Sequence, residues 1–188
     1  MTSAYLVRHA HAHWEPSEER PLSEQGSAGA RALADCMGAT AVSAIYSSPA
    51  RRAIETIQPL AAARGLVPEI VPDLRERALV VPSGATFESA VETAWLDPAA
   101  AADGTESNRA AAERGVGVLQ RILAKHRGEP VVMSTHGNLL ALILGALNSS
   151  YGYETWRALT FPDVYRLVFQ GKALVDLERV WVPPAAEE

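Results

Sequence analysis

Short apolar runs recur along this chain, each closed by polar or charged residues, with segments of helical spacing between them. Ala4–Val7, Ala41–Tyr46, Val67–Val71 and Pro130–Thr135 are too short for helices and predict buried strands. Pro68 and Pro72 interrupt the third run, which places it near a sheet edge. Val164–Phe169 and Ala173–Trp181 predict a hairpin turning at Gly171-Lys172. Five helices are predicted between the strands. Ser23 caps an Ala-rich helix running to about Cys36, and Arg51–Arg64 follows Pro49 and stops at Gly65. Thr86 to about Trp95 is the third, Glu106–His126 with Thr105 as its cap is the fourth, and Asn138–Leu147 is the fifth. Residues 77–104 are the least regular stretch, punctuated by Pro82, Gly84, Pro98 and Gly104, and read as a lid or loop inserted into the domain. Strands alternating with helices predict a three-layer α/β/α fold with a mostly parallel central sheet. Residues 1–182 form one domain in this reading, and 183–188 a flexible tail.

Composition narrows the partners. Seventeen basic and 22 acidic residues leave a net charge of -5, which argues against nucleic-acid binding through a broad basic face. A small anion held by a local arginine cluster stays open. Cys36 is the only cysteine, so no intrachain disulfide can form and a reducing, cytoplasmic setting is expected. Cys36 itself reads as a small core residue near a helix end. Arg8 and His9 break the opening apolar run, so no signal peptide is predicted, and no apolar stretch reaches the roughly 18 residues of a membrane span.

The chemistry sits at the ends of the predicted strands. In an open α/β sheet, ligands bind beyond the carboxyl ends of the strands. There the chain carries Arg8-His9-Ala10, then Ser47-Ser48-Pro49-Ala50-Arg51-Arg52-Ala53, then Ser134-Thr135-His136-Gly137. Two imidazoles and several guanidiniums brought to one sheet edge suit a phosphate group. Arg8 and Arg52 can grip phosphoryl oxygens in bidentate fashion. A protonated His136 adds a donor, and so do backbone N–H groups at a helix start from Gly137 onward. His9 is the candidate nucleophile; its other ring nitrogen must then give its proton to an acceptor such as a backbone carbonyl. Glu76, in Leu74-Arg75-Glu76-Arg77, is the candidate proton donor to the leaving oxygen. His9, His11 and His13 alternate as metal ligands can. A metal site needs further ligands, and His126 and His136 are the only other histidines, so no metal and no cofactor are expected. His11 is then a rim residue that touches substrate. Of the four tryptophans, Trp14 and Trp95 are the pair expected at a pocket mouth.

These motifs occur in the order seen in the histidine phosphatase superfamily, which includes the cofactor-dependent phosphoglycerate mutases. Pro21-Leu22-Ser23-Glu24-Gln25-Gly26 and Gly104-Thr105-Glu106-Ser107 resemble that family as well, and the resemblance covers about residues 4–170. It implies a phosphoglycerate mutase-like fold, phosphorylation of His9, and Arg8, Arg52 and His136 as phosphate holders. It also implies Glu76 as the acid of the branch in which that group follows the third strand. The chain departs from the family pattern at Ala10, Ala12 and Trp14-Glu15, and Ala10 is similar to the openings of small protein-phosphohistidine phosphatases. Leu79 and Phe87 stand where the mutases place a Tyr and a Lys that help hold a substrate carboxylate. A metal-independent phosphatase of small phosphomonoesters, monomeric or homodimeric, is therefore expected. The alternatives are a protein-phosphohistidine phosphatase, a phosphoglycerate mutase and a non-enzymatic phosphate-binding module.

Overall fold

A computed structural model describes residues 1–15, 17 and 19–182, so the expected tail at 183–188 lies outside the described residues. The elements run β1 (Thr2–Arg8), α1 (Glu24–Cys36), β2 (Ala44–Ser47), α2 (Arg51–Arg64), β3 (Glu69–Ile70), α3 (Phe87–Leu96), α4 (Asn108–Lys125), β4 (Val131–Thr135), α5 (Gly137–Leu147), α6 (Tyr153–Ala158), β5 (Asp163–Gln170) and β6 (Ala173–Arg179), with a 3-10 turn at Pro72–Leu74.

The six strands form one sheet in the order β3-β2-β4-β1-β5-β6. The β3-β2, β2-β4 and β4-β1 pairs are parallel, and β1-β5 and β5-β6 are antiparallel. Side chains alternate across the pleat and fill two cores. Leu6, Tyr46, Val131 and Met133 face α4 and α5, whereas Val7, Ile45 and Val132 face α1 and α2. β4 is buried along its whole length, as expected of a central parallel strand. This is the three-layer α/β/α arrangement with a mostly parallel sheet.

Several boundaries differ from expectation for local reasons. β2 begins only at Ala44, because the Ser43 amide turns to the Pro130 carbonyl outside the ladder. β3 shrinks to two exposed residues at the sheet edge. Ser107, not Thr105, caps α4: its hydroxyl accepts from the Ala110 amide at 3.1 Å, while Thr105 donates to Ala102 in a preceding turn. Trp181 leaves β6 to bury itself in the α1/α2 core. α6 has no counterpart among the predicted helices. Cys36 is exposed at the end of α1, not a core residue, since the buried stripe of that helix runs through Gly26, Ala30 and Leu33. Among the described residues, no helix is long and apolar enough to cross a membrane.

Candidate active site

Sheet order alone brings three motifs together. β1 and β2 flank β4, and all three point the same way. The ladders run one residue beyond the strands: the His9 amide donates to the Thr135 carbonyl at 3.0 Å, and the Ser48 amide to the Ser134 carbonyl at 2.9 Å. His9 and Ser48 are thereby fixed on either side of the β4 terminus, where His136 follows. The His9 and His136 rings meet edge-on with centroids 5.2 Å apart.

His9 is 6% exposed. Its Nδ1 lies 2.8 Å from the Ala10 carbonyl, which can only accept, so the proton sits on Nδ1 and Nε2 keeps its lone pair. Burial pushes the imidazole down to about 3, and the charges of Arg52, Arg8 and Arg20 act in the same direction. His9 is therefore neutral at physiological pH.

His136 is fully buried and held well below its ordinary value, first by burial and then by the charges around it. Its Nδ1 faces Arg52 Nη2 at 3.2 Å and its Nε2 faces Ser48 Oγ at 2.7 Å. A guanidinium only donates, so Nδ1 accepts and Nε2–H donates to Ser48. The protonated form of His136, which would add a donor, is disfavoured here by burial. The ring is neutral and acts here as an anchor for Arg52.

Arg8 ends β1, and burial draws its guanidinium down to about 10 against the charges of Glu76 and Asp163, so it stays charged at neutral pH. Nη1 donates to the Leu159 carbonyl at 2.8 Å, whereas Nε is buried with no hydrogen-bond partner among the described residues. Gly137 packs closely beside it, since a Cβ there would stand 3.1 Å from that Nε and the guanidinium would have to give way. Arg52 enters from the first turn of α2. Thr56, one turn on, donates to the Arg52 carbonyl at 2.7 Å and accepts from the Ala10 amide at 2.9 Å, locking α2 to the His9 backbone.

Glu76 follows the Pro72–Leu74 turn and reaches the start of α5. Its Oε1 accepts from the Arg77 amide at 2.8 Å and the Leu139 amide at 2.9 Å, and its Oε2 from the Asn138 amide at 3.0 Å. The carboxylate thus caps α5 from 62 and 63 residues away in sequence. The Arg75 and Arg77 guanidiniums direct their hydrogen bonds elsewhere, to Asp73 and to the Glu106 carbonyl, although the Glu76 charge still acts on Arg77. The helix start expected to face the phosphate is spent at Asn138 and Leu139 on Glu76, which leaves Gly137 as the first-turn amide for a ligand.

The rim brings in groups that the sequence did not single out. Phe161 packs against Arg8, His9 and His11. Arg20 lies near enough for its charge to act on both buried imidazoles. It directly precedes the Pro21–Gly26 motif, but one sequence gives no sign of where its side chain points. Ser48 stood inside a recognised motif without a role. His11 lies on the rim, its Nδ1 2.7 Å from Ser23 Oγ. Trp14 and Trp95 are not a pocket-mouth pair: Trp14 is 82% exposed against Arg20, and Trp95 packs into the α4/α5 core beside Gly145. Among the described residues, no group of three or more His, Cys, Asp or Glu is placed to hold a metal ion.

The model of the histidine phosphatase superfamily, branch 1, matches residues 4–173. The chain belongs to this family. Among histidine phosphatases and their relatives, it is 32% identical over 161 residues to a metal-independent phosphoserine phosphatase of Arabidopsis thaliana, a match covering 76% of this chain and 67% of that protein. It is 30% identical over 152 residues to a phosphoglycerate mutase-like protein of the same plant, covering 72% and 66%. The chain thus spans about two thirds of the length of these curated relatives. A mycobacterial glucosyl-3-phosphoglycerate phosphatase superposes with a TM-score of 0.74 at 25% identity, over 94% of this chain and 96% of the other.

Proposed function

We propose that this histidine phosphatase hydrolyses small phosphomonoesters without a metal, through a phosphohistidine at His9. The observation that carries the reading is the His9–Ala10 hydrogen bond, which leaves a neutral, unprotonated Nε2 among the Arg8, Arg52 and His136 side chains. In the first step Nε2 attacks phosphorus in line, the ester P–O bond breaks, and Glu76 gives its proton to the leaving oxygen. Arg8, Arg52 and the Gly137 amide bind the phosphoryl oxygens, with His136 behind Arg52 and His11 at the rim. In the second step water attacks phosphorus, its proton returns to Glu76, and His9 leaves as the neutral ring. The hydrogen bonds select the oxygen that carries the proton. Oε1 already accepts two amides and Oε2 only one, so the free position is on Oε2.

Phosphoserine and similar small monoesters are the substrates this reading favours, given the plant relative. Leu79 and Phe87, in place of the carboxylate-holding groups of mutases, favour hydrolysis over exchange between 2- and 3-phosphoglycerate. Residues 77–104 would form the substrate wall of this single domain. The lone cysteine supports a cytoplasmic setting, and a monomer or homodimer is expected. The test is kinetic. His9→Ala abolishes turnover, and chelators leave the wild type unchanged. Glu76→Gln slows phosphoserine at least about a hundredfold, within the range of general acid catalysis, but slows nitrophenyl phosphate far less, because nitrophenolate departs without a proton. Equal slowing of both substrates removes Glu76 from the acid role, and turnover by His9→Ala ends the covalent scheme.

A further inference from the structure

Arg8 is constrained by more than its hydrogen bonds. Nη1 donates to the Leu159 carbonyl at 2.8 Å and lies 3.4 Å from that of Thr160. Gly137 runs against Nε, Cζ and Nη2, all within 3.2 Å of where its Cβ would stand. The Phe161 ring lies over the guanidinium with its centroid 3.4 Å from Cζ. That ring is also 5.5 Å from the His9 ring and 6.2 Å from the His11 ring.

Phe161 is a puzzle for packing alone. It stays 43% exposed and belongs to neither core. Yet its backbone is held firmly. The Thr160 amide donates to Asp163 Oδ2 at 2.8 Å, and the Thr160 hydroxyl donates to the Pro162 carbonyl at 2.6 Å. Asp163, fully buried at the start of β5, is held in turn by Arg179 at 2.6 Å. Asp163 is also the register partner of Arg8, so one loop carries both the carbonyls that take Nη1 and the ring that covers the guanidinium.

We propose that Phe161 is a positioning residue: its ring presses the Arg8 guanidinium into one plane so that the Nε–Nη2 edge meets two phosphoryl oxygens at once. A guanidinium is a rigid fork on a flexible stem, so its gain from bidentate binding depends on how much stem and ring motion is removed beforehand. Stacking on an aromatic face supplies that restraint without consuming a donor. Nη1 is tied to backbone carbonyls, which leaves the Nε–Nη2 edge for the anion, and Nε is the buried atom that lacks a partner among the described residues. This inference rests on the phosphatase reading, because it concerns the same anion.

The test measures orthovanadate and inorganic phosphate binding by calorimetry, with kcat and KM on nitrophenyl phosphate alongside. Phe161→Ala weakens binding of both anions about tenfold and raises KM, with a smaller change in kcat and an unchanged melting temperature. Phe161→Tyr, which keeps the ring, restores wild-type affinity, and Phe161→Leu does not. In an Arg8→Ala background, Phe161→Ala causes no further loss, because the ring acts through Arg8. Wild-type affinity in Phe161→Ala, or losses that add fully in the double variant, would overturn the inference while leaving the phosphatase reading intact. A wild-type protein that binds neither anion and hydrolyses no monoester would instead overturn the phosphatase reading and this inference with it.

Discussion

Protonation at this site is decided residue by residue, by which neighbours can only accept and which can only donate. The Ala10 carbonyl forces a proton onto His9 Nδ1, and the Arg52 guanidinium forces one off His136 Nδ1. Adjacent imidazoles thus take opposite tautomers. Nitrogen-15 NMR should find both rings neutral at pH 5, with His9 protonated on Nδ1 and His136 on Nε2, because burial holds both below the usual histidine range. A His9 midpoint near 6.5 would contradict the burial argument. Ser48 is the acceptor that completes this arrangement. Ser48→Ala leaves a buried N–H without a partner, a loss of about 1–3 kcal/mol. The expected result is a lower urea midpoint together with a lower kcat, as Arg52 loses its anchor. An unchanged midpoint would show that His136 finds another acceptor.

Elements set which loops reach the site. The chain that follows β1 is stitched at His11 and Ala12 to the start of α1, with Arg20 close enough for its charge to act on the buried imidazoles. The Ser23 amide donates to the His11 carbonyl at 3.0 Å, and the isolated bridge Ala12–Leu22 closes the loop. Gly26 is the close approach in this seam: a Cβ there would overlap the His11 carbonyl oxygen. Both partners are backbone, so neither yields by a rotamer change. Gly26→Ala should therefore shift the loop, lower Tm by roughly 5 °C, and raise KM as Arg20 moves. A KM equal to that of the wild type would show that the loop does not set the rim. The same scale explains the misplaced start of α4. Thr105 and Ser107 are both acceptable caps locally, and Ser107 takes the place because the Thr105 hydroxyl is already committed to the Ala102 carbonyl.

For the whole molecule, two buried imidazoles, with guanidinium charges around them acting in the same direction, make the fold sensitive to acid. His9 and His136 are neutral when folded but bind protons in the unfolded chain below its ordinary histidine range. Between about pH 6.5 and pH 3 the unfolded state therefore holds more protons, and unfolding free energy falls as pH falls through that window. Above it both states are neutral and the effect is fully absent. Denaturant titrations from pH 7 to 4 should show this slope, and His9→Asn should make it shallower by close to one proton; an unchanged slope would mean that His9 is not buried neutral. The sequence by itself determined the alternation of strands and helices, the layering of helices on both faces of a sheet, and the motifs at the strand ends, because hydrophobic period and capping chemistry are local properties. Arg8, His9, Arg52 and Glu76 could be named as candidates because they stand in motifs that follow predicted strands and resemble the family's. Only the tertiary structure decided that Glu76 caps α5, that Ser48 and Arg52 set the His136 tautomer, and that Arg20 and Phe161 stand at the rim. Those contacts join residues tens of positions apart, and the direction of an exposed side chain on a loop has no periodic signature along the chain.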